Sequence, residues 1–213
     1  MAEFTFFTNP MSRGQIARWA LHEVGADYEQ VLVPWDNRPA ALLAINPLGK
    51  VPTLIHHAAS GDRVISEGAA ICAYLGDVLP GAGLAPLPEE KADFYRWLFF
   101  AAGPIEQGVT ARHLGFEPSD ARQRMTVGFG DLDVALSMLE AHLAGRDWVC
   151  GARFNMADVY VGSQVDWGLQ FGTFPDTPTF TAYAERCRAR EGYRSAKAVD
   201  NALIAEAEGA QKD

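Results

Sequence analysis

The stretch VPTLIHHAASGDRVISEGAAICAYLGDV, residues 51–78, decides how the first part of the chain folds. Val51–His56 is predicted to be a strand, which Ser60-Gly61-Asp62 joins to a second strand, Arg63–Ser66, as a hairpin. Gly68–Val78 follows as a predicted helix. The apolar residues of this helix that share one face are Ile71, Leu75 and Val78. A hairpin followed directly by such a helix is typical of a small sheet covered by helices.

The residues before this stretch complete the sheet. Glu3–Phe7 and Tyr28–Val33 are predicted strands, and Gly14–Val24 between them repeats apolar residues at helical spacing. Pro39–Ile45 is weakly helical, and the turn Asn46–Gly49 separates it from the hairpin. The predicted order of elements is therefore β-α-β-α-β-β-α.

The rest of the chain has a different pattern. Leu79–Pro88 contains three prolines and two glycines, so we expect a linker without regular structure over residues 79–88. Beyond it the apolar residues recur at helical spacing, which predicts an all-α bundle over residues 89–213 after a sheet domain over residues 1–78. One predicted core-facing stripe consists of Met125, Phe129, Leu132, Leu136, Leu139 and Leu143.

Two segments of the bundle have the residue types that begin helices. Asn155–Asp158 is predicted to be a capping box that opens a helix reaching about Trp167. Thr177 and Pro178 suit an N-cap and a first helical position. The residues of that second helix that we expect to face inward are Phe180, Tyr183, Ala184 and Cys187. We interpret both segments as folding devices rather than chemical sites.

The overall composition argues against several classes of protein. A formal net charge of −9, a pI near 5.0 and the lack of a Lys/Arg-rich stretch argue against nucleic-acid binding. No apolar run approaches the roughly 18–20 residues that span a bilayer, so we expect no membrane association. The start MAEFTFFTNP has no signal-peptide features, so we expect a cytoplasmic protein. The widely spaced Cys72, Cys150 and Cys187 predict reduced, mostly buried thiols and neither a disulfide nor a metal site.

Two segments of the predicted sheet have backbone groups suited to a peptide-like ligand. A cis Val51-Pro52 bond would leave the N–H and C=O of Val51 free to pair with an extended peptide, although most X-Pro bonds are trans. Ser66-Glu67-Gly68 stands before a helix whose first N–H groups can bind a carboxylate, while Glu67 can pair with an ammonium. The alternative is that Ser66 and Glu67 only cap the helix.

Ser12 stands at the start of the first predicted helix. Its hydroxyl can cap that helix, or it can donate a hydrogen bond to an anion held at the positive end of the helix dipole. Capping is the commoner role for a serine in this position. The neighbouring Arg13 has the pattern of a solvated surface charge.

Several ordered motifs give the chain a family resemblance. The motifs of the first domain are FFTNPMSRGQIARWALHEVGADYE (6–29), INPLGKVPTLI (45–55) and VISEGAAICAYLGD (64–77). The motif of the second domain is RDWVCGARFNMADVYVG (146–162). With these motifs in this order, the chain resembles the cytosolic glutathione transferases, of the serine-type, bacterial theta- or beta-like kind, which implies a thioredoxin-like α+β domain followed by an all-helical domain. The resemblance covers nearly the whole chain.

The resemblance implies a role for each candidate site residue. Ser12 falls where serine-type members have the hydroxyl that stabilises the glutathione thiolate, and it is the expected catalytic residue. The expected glutathione-binding residues are Arg13, Trp35, Lys50, Val51, the cis-proline Pro52, Glu67 and Gly68. Gly68 replaces the usual serine, so the γ-glutamyl carboxylate would be held by backbone N–H groups alone. No metal is implied.

The co-substrate is implied to be an electrophilic, mainly apolar molecule. Its pocket would involve Pro10, Met11, Trp97, Phe100 and Pro104, although Trp97 and Phe100 can equally belong to the core. Pro104 is expected to kink its helix, Ala92–Gln107. Family members usually form two-fold dimers, so a homodimer is expected.

The implied reaction is attack by the glutathione thiolate on an electrophilic carbon, in detoxification or catabolism. The alternatives are a non-catalytic binding or scaffold protein with the same fold, and a glutathione-dependent dehalogenase or isomerase. Phe4–Phe7 contains no tyrosine and no cysteine lies near Ser12, which argues against the tyrosine-type and cysteine-type mechanisms.

Overall fold

The computed structural model describes residues 2–210 and divides into two compact units. One unit consists of the chain up to Ala85 together with the chain from Ala189 onward, and the other is Pro86–Arg188. The change of unit at residue 85 lies inside the segment predicted as the linker. The last helix groups with the sheet unit and not with the bundle, although the sequence pattern placed it in the range 89–213.

The sheet unit has the predicted order of strands and helices. Its elements are β1 (Phe4–Thr8), α1 (Gly14–Glu23), β2 (Tyr28–Leu32), α2 (Ala40–Ile45), β3 (Thr53–Ala58), β4 (Gly61–Ser66) and α3 (Gly68–Val78). The predicted helix Gly68–Val78 agrees at both ends with α3, and α1 ends near Gly25, whose φ of 64° favours glycine. The thioredoxin-like topology is therefore confirmed.

The four strands form one mixed sheet in the order β2-β1-β3-β4. β1 pairs parallel with β2, and β3 pairs antiparallel with both β1 and β4. Phe7 lies opposite Thr53, and Thr53 lies opposite Ser66. The carboxyl ends of β1, β2 and β4 therefore meet the amino end of β3 at one end of the sheet.

The second unit is helical. Its elements are α4 (Lys91–Phe100), a π-helical turn (Ala101–Ile105), α5 (Glu106–His113), α6 (Ala121–Thr126), α7 (Leu132–Leu143), α8 (Met156–Gln170) and α9 (Pro178–Arg188). The chain then returns to the first unit as α10 (Glu191–Ala210). None of the helices within residues 2–210 has both the length and the apolar character to cross a bilayer.

Two sequence-based expectations need correction, and a third, the kink at Pro104, falls at an irregular turn of its helix. The predicted linker contains a 3₁₀ turn, Pro80–Ala82, and a second one, Pro88–Glu90, begins at its last residue, because a proline at a first helical position lacks only an N–H that would be unpaired there. The predicted stripe does not run through one helix, since Gly130 with a φ of 64° breaks it and leaves Met125 80% exposed. Pro104 lies in the π-helical turn between α4 and α5.

Both predicted helix starts of the bundle are confirmed. Asn155 and Asp158 form the capping box of α8, and both residues are fully buried. The hydroxyl of Thr177 accepts from the N–H of Phe180 over 3.4 Å at the start of α9. The four residues predicted to face inward are all buried: Phe180, Tyr183, Ala184 and Cys187.

Candidate active site

The register of the sheet brings the predicted glutathione-binding segments together. Phe7 of β1, Thr53 of β3 and Ser66 of β4 lie opposite one another and form a row across three strands, which we call the rung Phe7–Thr53–Ser66. Because neighbouring strands lie about 4.8 Å apart, this row is about 10 Å long. The loop with Ser12 follows β1, Val51 and Pro52 precede β3, and Glu67 follows β4. The sheet therefore places these three segments side by side.

The segment before β3 presents an unpaired piece of backbone. The Val51–Pro52 peptide bond is cis, as expected. The Val51 side chain packs against the core cluster of Phe7, Val33 and Leu42. Within the described part of the chain, the N–H and C=O of Val51 have no hydrogen-bond partner. This backbone can accept and donate hydrogen bonds to an extended peptide.

The loop after β2 is fastened by an arginine that sequence reasoning missed. Arg38 Nε donates to the carbonyl oxygen of Gly49 over 3.0 Å, and its guanidinium lies 5.9 Å from the ring centre of Trp35. Arg38 Nη1 also donates to the carbonyl oxygen of Pro34. Trp35 is 55% exposed, and Lys50 beside Gly49 is exposed as well. An arginine in a loop carries no sequence signal that separates this role from a solvated charge.

Glu67 occupies a strained backbone position at the start of α3. Its φ of 68° and ψ of 118° are outside the regions that a glutamate ordinarily adopts, a strain of about 1–3 kcal/mol. The residue is exposed, and its side chain makes no capping hydrogen bond. The capping alternative for Glu67 is therefore not what the structure shows. Since this helix start has no side-chain cap, the first backbone N–H groups of α3, beginning with that of Gly68, can bind an anion.

The Ser12 hydroxyl makes two local hydrogen bonds. Its Oγ donates to the carbonyl oxygen of Asn9 over 2.7 Å and accepts from the N–H of Gly14 over 2.9 Å. The contact with Gly14 is a capping interaction, and the contact with Asn9 uses the single hydroxyl proton. Rotation of the hydroxyl is needed before Ser12 can donate to an anion. Arg13 is exposed at the N-cap position of α1.

Asn9 organises this loop, a role that the sequence analysis did not assign. Its side-chain oxygen accepts from the N–H of Met11 over 2.9 Å, and its Nδ2 donates to the carbonyl oxygen of Val33 over 3.0 Å. Its own carbonyl oxygen accepts from both the N–H and the hydroxyl of Ser12. An asparagine just before a helix favours such a turn, so the signal was present in the sequence.

The residues expected to meet the electrophile have different surroundings within their own units. In the sheet unit, Pro10 is half-buried and Met11 is 64% exposed. In the helical unit, Trp97 is only 2% exposed and stacks on His142 with ring centres 4.1 Å apart. Phe100 is half-buried at the side of Trp97, and Pro104 is half-buried in the π-helical turn. Trp97 thus has the core role that its sequence pattern equally allowed.

The cysteines are unsuited to nucleophilic chemistry. All three are free thiols, and Cys72 and Cys187 are buried. Burial raises the pKa of Cys72 far above its ordinary value and raises the pKa of Cys150 to about 11, so neither forms a thiolate near neutral pH. Among residues 2–210, no group of three or more His, Cys, Asp or Glu side chains is placed to hold a metal ion.

Comparisons with known proteins agree with both units. The models of the N-terminal and C-terminal domains of glutathione S-transferases match residues 11–78 and 114–191. Glutathione S-transferase 1 of Schizosaccharomyces pombe is 31% identical over 183 residues, which cover 78% of this chain and 75% of that protein. Glutathione S-transferase GstA of Escherichia coli O157:H7 is 27% identical over 168 residues, covering 76% and 80%. The structure of a sphingomonad glutathione S-transferase complexed with glutathione superposes with a TM-score of 0.73 at 27% identity, covering 92% of this chain and 98% of that one.

Proposed function

This chain belongs to the glutathione S-transferase family and is a transferase, and we propose that it joins the sulfur of glutathione to an electrophilic carbon of a mainly apolar co-substrate. The observation that carries the proposal is the rung Phe7–Thr53–Ser66 at the end of the sheet. Its length of about 10 Å suits an extended tripeptide, since three residues reach about 10 Å.

Glutathione binds across this end of the sheet with its γ-glutamyl group at α3. The Glu67 carboxylate pairs with the α-ammonium, and the first N–H groups of α3 bind the α-carboxylate. The strained backbone of Glu67 supports this role, because strain of this kind persists where surrounding structure and function require it. Gly68 offers its backbone N–H to the α-carboxylate and has no side-chain hydroxyl to add.

The rest of the tripeptide follows the edge before β3. The cysteinyl residue pairs with the unpaired N–H and C=O of Val51, next to Pro52, as an added strand. Lys50 and Trp35 are exposed beside this edge, and with Arg13 they are the side chains we assign to the glycyl end. Arg38 holds Trp35 and Gly49 in place for this contact.

Ser12 activates the thiol by donating to the sulfur. Free thiols have a pKa near 8.5, so only a few per cent are ionised at neutral pH. Turning the Ser12 hydroxyl away from Asn9 loses a neutral hydrogen bond of about 0.5–1.5 kcal/mol and gains a charge-assisted one of about 1.5–3 kcal/mol. The balance favours the thiolate, and the dipole of α1 acts in the same direction.

The reaction needs no further protein nucleophile. The thiol proton leaves to solvent, and the thiolate attacks carbon to form a C–S bond. The electron pair of the bond that breaks departs with the leaving group, or stays on oxygen when an epoxide opens. The protein contributes position and electrostatic stabilisation. The free thiols of Cys72, Cys150 and Cys187 support a reducing compartment, and with it a cytoplasmic role in detoxification or catabolism.

A homodimer accompanies the proposed function. Tyr95 and Phe99 of α4 stack on each other while 45% and 65% exposed. Exposed aromatic pairs of this kind are enriched where protein surfaces associate. Light scattering at micromolar concentration is expected to give about twice the 23.2 kDa mass of one chain. A mass near one chain would contradict the dimer.

Ligand truncation tests the proposed function directly. Calorimetry is expected to show binding of glutathione and a loss of at least about 1.5 kcal/mol for cysteinylglycine, which lacks the γ-glutamyl contacts with Glu67 and α3. Conjugation rates with a panel of aryl halides, epoxides and isothiocyanates then identify the electrophile. Equal affinity for the two peptides, or a chain that binds glutathione but conjugates none of the panel, would contradict the proposal. Halide release from alkyl halides without net consumption of glutathione would instead favour the dehalogenase alternative, because simple conjugation releases halide and consumes glutathione together.

A further inference from the structure

The last helix is attached along α1 by polar side chains. Arg190, which directly precedes α10, forms a two-point ion pair with Glu23, with donor–acceptor distances of 2.8 and 2.7 Å. Arg18 pairs with Asp200 over 2.9 Å, and both residues are fully buried. Removing either member of that buried pair would leave an uncompensated charge and threaten folding. These contacts fix α10 against α1 but do not reach the candidate site.

A third polar contact does continue to the site. Lys197 of α10 donates from Nζ to Gln15 Oε1 over 2.5 Å. Gln15 Nε2 in turn donates to the carbonyl oxygen of Pro10 over 2.5 Å. Gln15 is the second residue of α1, and Pro10 lies in the loop that carries Ser12. One side-chain amide thus joins α10 to the loop between β1 and α1.

Other side chains attach this loop at its two ends. Asn9 binds Val33 and Met11 at one end of it, and Ser12 binds Asn9 and Gly14 at the other. Pro10 has no N–H to donate, so its carbonyl oxygen is its only backbone hydrogen-bonding group. The Gln15 amide therefore holds the middle of the loop, at the residue that follows Asn9, whose carbonyl oxygen accepts from the Ser12 hydroxyl.

We propose that Gln15, itself oriented by Lys197 of α10, is a positioning residue for the thiolate site. The proposal rests on the proposed function, since it acts through Ser12. The Lys197 ammonium polarises the amide, so its N–H is a stronger donor to Pro10 than an isolated glutamine would be. A fixed loop keeps the Ser12 hydroxyl within reach of the sulfur, and small misplacements of such groups reduce rates strongly.

Two variants separate the contact with the loop from the contact with α10. Gln15→Glu keeps an oxygen for Lys197, so α10 stays attached, but it replaces the donor to Pro10 by an acceptor. Lys197→Met keeps the length of the side chain and removes the ammonium that orients Gln15. Arg194→Met is the matched control, because Arg194 lies on the same helix and its exposed side chain pairs with the exposed Glu191 of α10.

The first readout is hydrogen exchange of peptides covering residues 9–14 in the free protein, which does not depend on glutathione. Exchange is expected to be faster in Gln15→Glu and Lys197→Met and unchanged in Arg194→Met. The second readout is kinetic. Gln15→Glu is expected to lower kcat about 2- to 10-fold, the factor for one lost hydrogen bond, with a smaller change in KM and a raised pKa of the bound thiol. Lys197→Met should lower kcat by a smaller factor, and Lys197→Arg should have a kcat close to that of the wild type.

The outcomes distinguish this inference from the proposed function. Unchanged exchange in Gln15→Glu overturns the inference. An unchanged pKa of the bound thiol in Gln15→Glu, while Ser12→Ala raises it, also overturns the inference but leaves the serine mechanism intact. If neither variant changes that pKa, both the serine mechanism and the positioning role are wrong.

Discussion

The first backbone N–H groups of a helix have no partner within it, and the starts of α8 and α3 differ in how they treat these groups. At α8, Asn155 accepts from the N–H of Ala157 over 3.0 Å, and Asp158 accepts from the N–H of Asn155 over 3.0 Å. At α3, Glu67 makes no capping hydrogen bond and is held at a φ of 68°. The first start is buried and its own side chains pair two of its N–H groups, while the second is exposed and has N–H groups to offer.

The difference shows how a folding device can be separated from a site. A buried helix start whose N–H groups are paired by its own side chains is closed to a ligand, and damage to it reduces stability. A start that is open and strained contributes little to stability, and damage to it reduces binding. The predictions below exploit this contrast between stability and binding.

The largest effect is expected for Asp158→Ala. The Asp158 carboxylate also accepts from the N–H of Val149 and from the hydroxyl of Tyr183, each over 2.8 Å. Its removal leaves three buried donors unpaired, so we expect a loss of at least about 3 kcal/mol in the free energy of unfolding, measured by urea denaturation. Asp120→Ala, which removes the exposed N-cap of α6, is the control and should lose about 1 kcal/mol. Equal losses of stability in Asp158→Ala and Asp120→Ala would contradict this prediction.

Glu67→Gln is expected to reduce binding without reducing stability. The amide keeps the shape of the side chain but loses the charge that pairs with the α-ammonium, so glutathione should bind more weakly by about 1.5–3 kcal/mol in calorimetry. Asp77→Asn, on an exposed residue near the other end of α3, is the control and should bind normally. Unchanged affinity in Glu67→Gln would remove Glu67 from the site.

The strain at Glu67 predicts an inverted order of stability for two further variants. Alanine normally stabilises a chain relative to glycine, but at a φ of 68° the alanine side chain keeps the strain that glycine relieves. We therefore expect Glu67→Gly to be more stable than Glu67→Ala by about 1 kcal/mol in thermal or urea unfolding. The usual order, with Glu67→Ala the more stable, would show that the position is not strained.

Acid is expected to weaken the sheet unit through a half-buried histidine. Burial, aided by the nearby Arg18, lowers the pKa of His22 below 6.5. The unfolded chain therefore binds a proton near pH 6.5 that the folded chain does not, so stability should fall as the pH decreases through that value. In His22→Gln the decline between pH 7.5 and 5.5 should be shallower than in the wild type, whereas the exposed His113→Gln should keep the wild-type slope. Identical slopes in all three proteins would contradict this assignment.

Most of the sheet unit was predictable because local patterns and tertiary structure agree there. Gly68–Val78 is a helix in the sequence pattern and in the structure, since its apolar face is the one that packs. The capping box at Asn155 was predictable because it involves residues close in sequence. The prediction of one core-facing stripe that includes Met125 was wrong, because the spacing of apolar residues does not show that a glycine breaks the helix.

The parts of the site that were missed depend on contacts between distant residues. Arg38 is an ordinary loop arginine until the fold brings Gly49 beside it. Lys197 is 182 positions from Gln15, and no spacing rule joins them. The strain at Glu67 is likewise invisible in the sequence, because a glutamate there gives no sign of a positive φ.

The central claim is that the start of α1 lowers the pKa of the glutathione thiol through Ser12. Titration of the ultraviolet thiolate band of the enzyme–glutathione complex measures it directly, in the wild type and in Ser12→Ala. We expect the bound thiol to titrate below its ordinary pKa of about 8.5 in the wild type. In Ser12→Ala its pKa should be about 0.5–1.5 units higher than in the wild type. The difference is smaller than the full strength of a charge-assisted hydrogen bond, because Ser12 gives up its hydrogen bond to Asn9 when it donates to the thiolate. A bound thiol with the pKa of free glutathione, or one that Ser12→Ala leaves unchanged, would contradict the account.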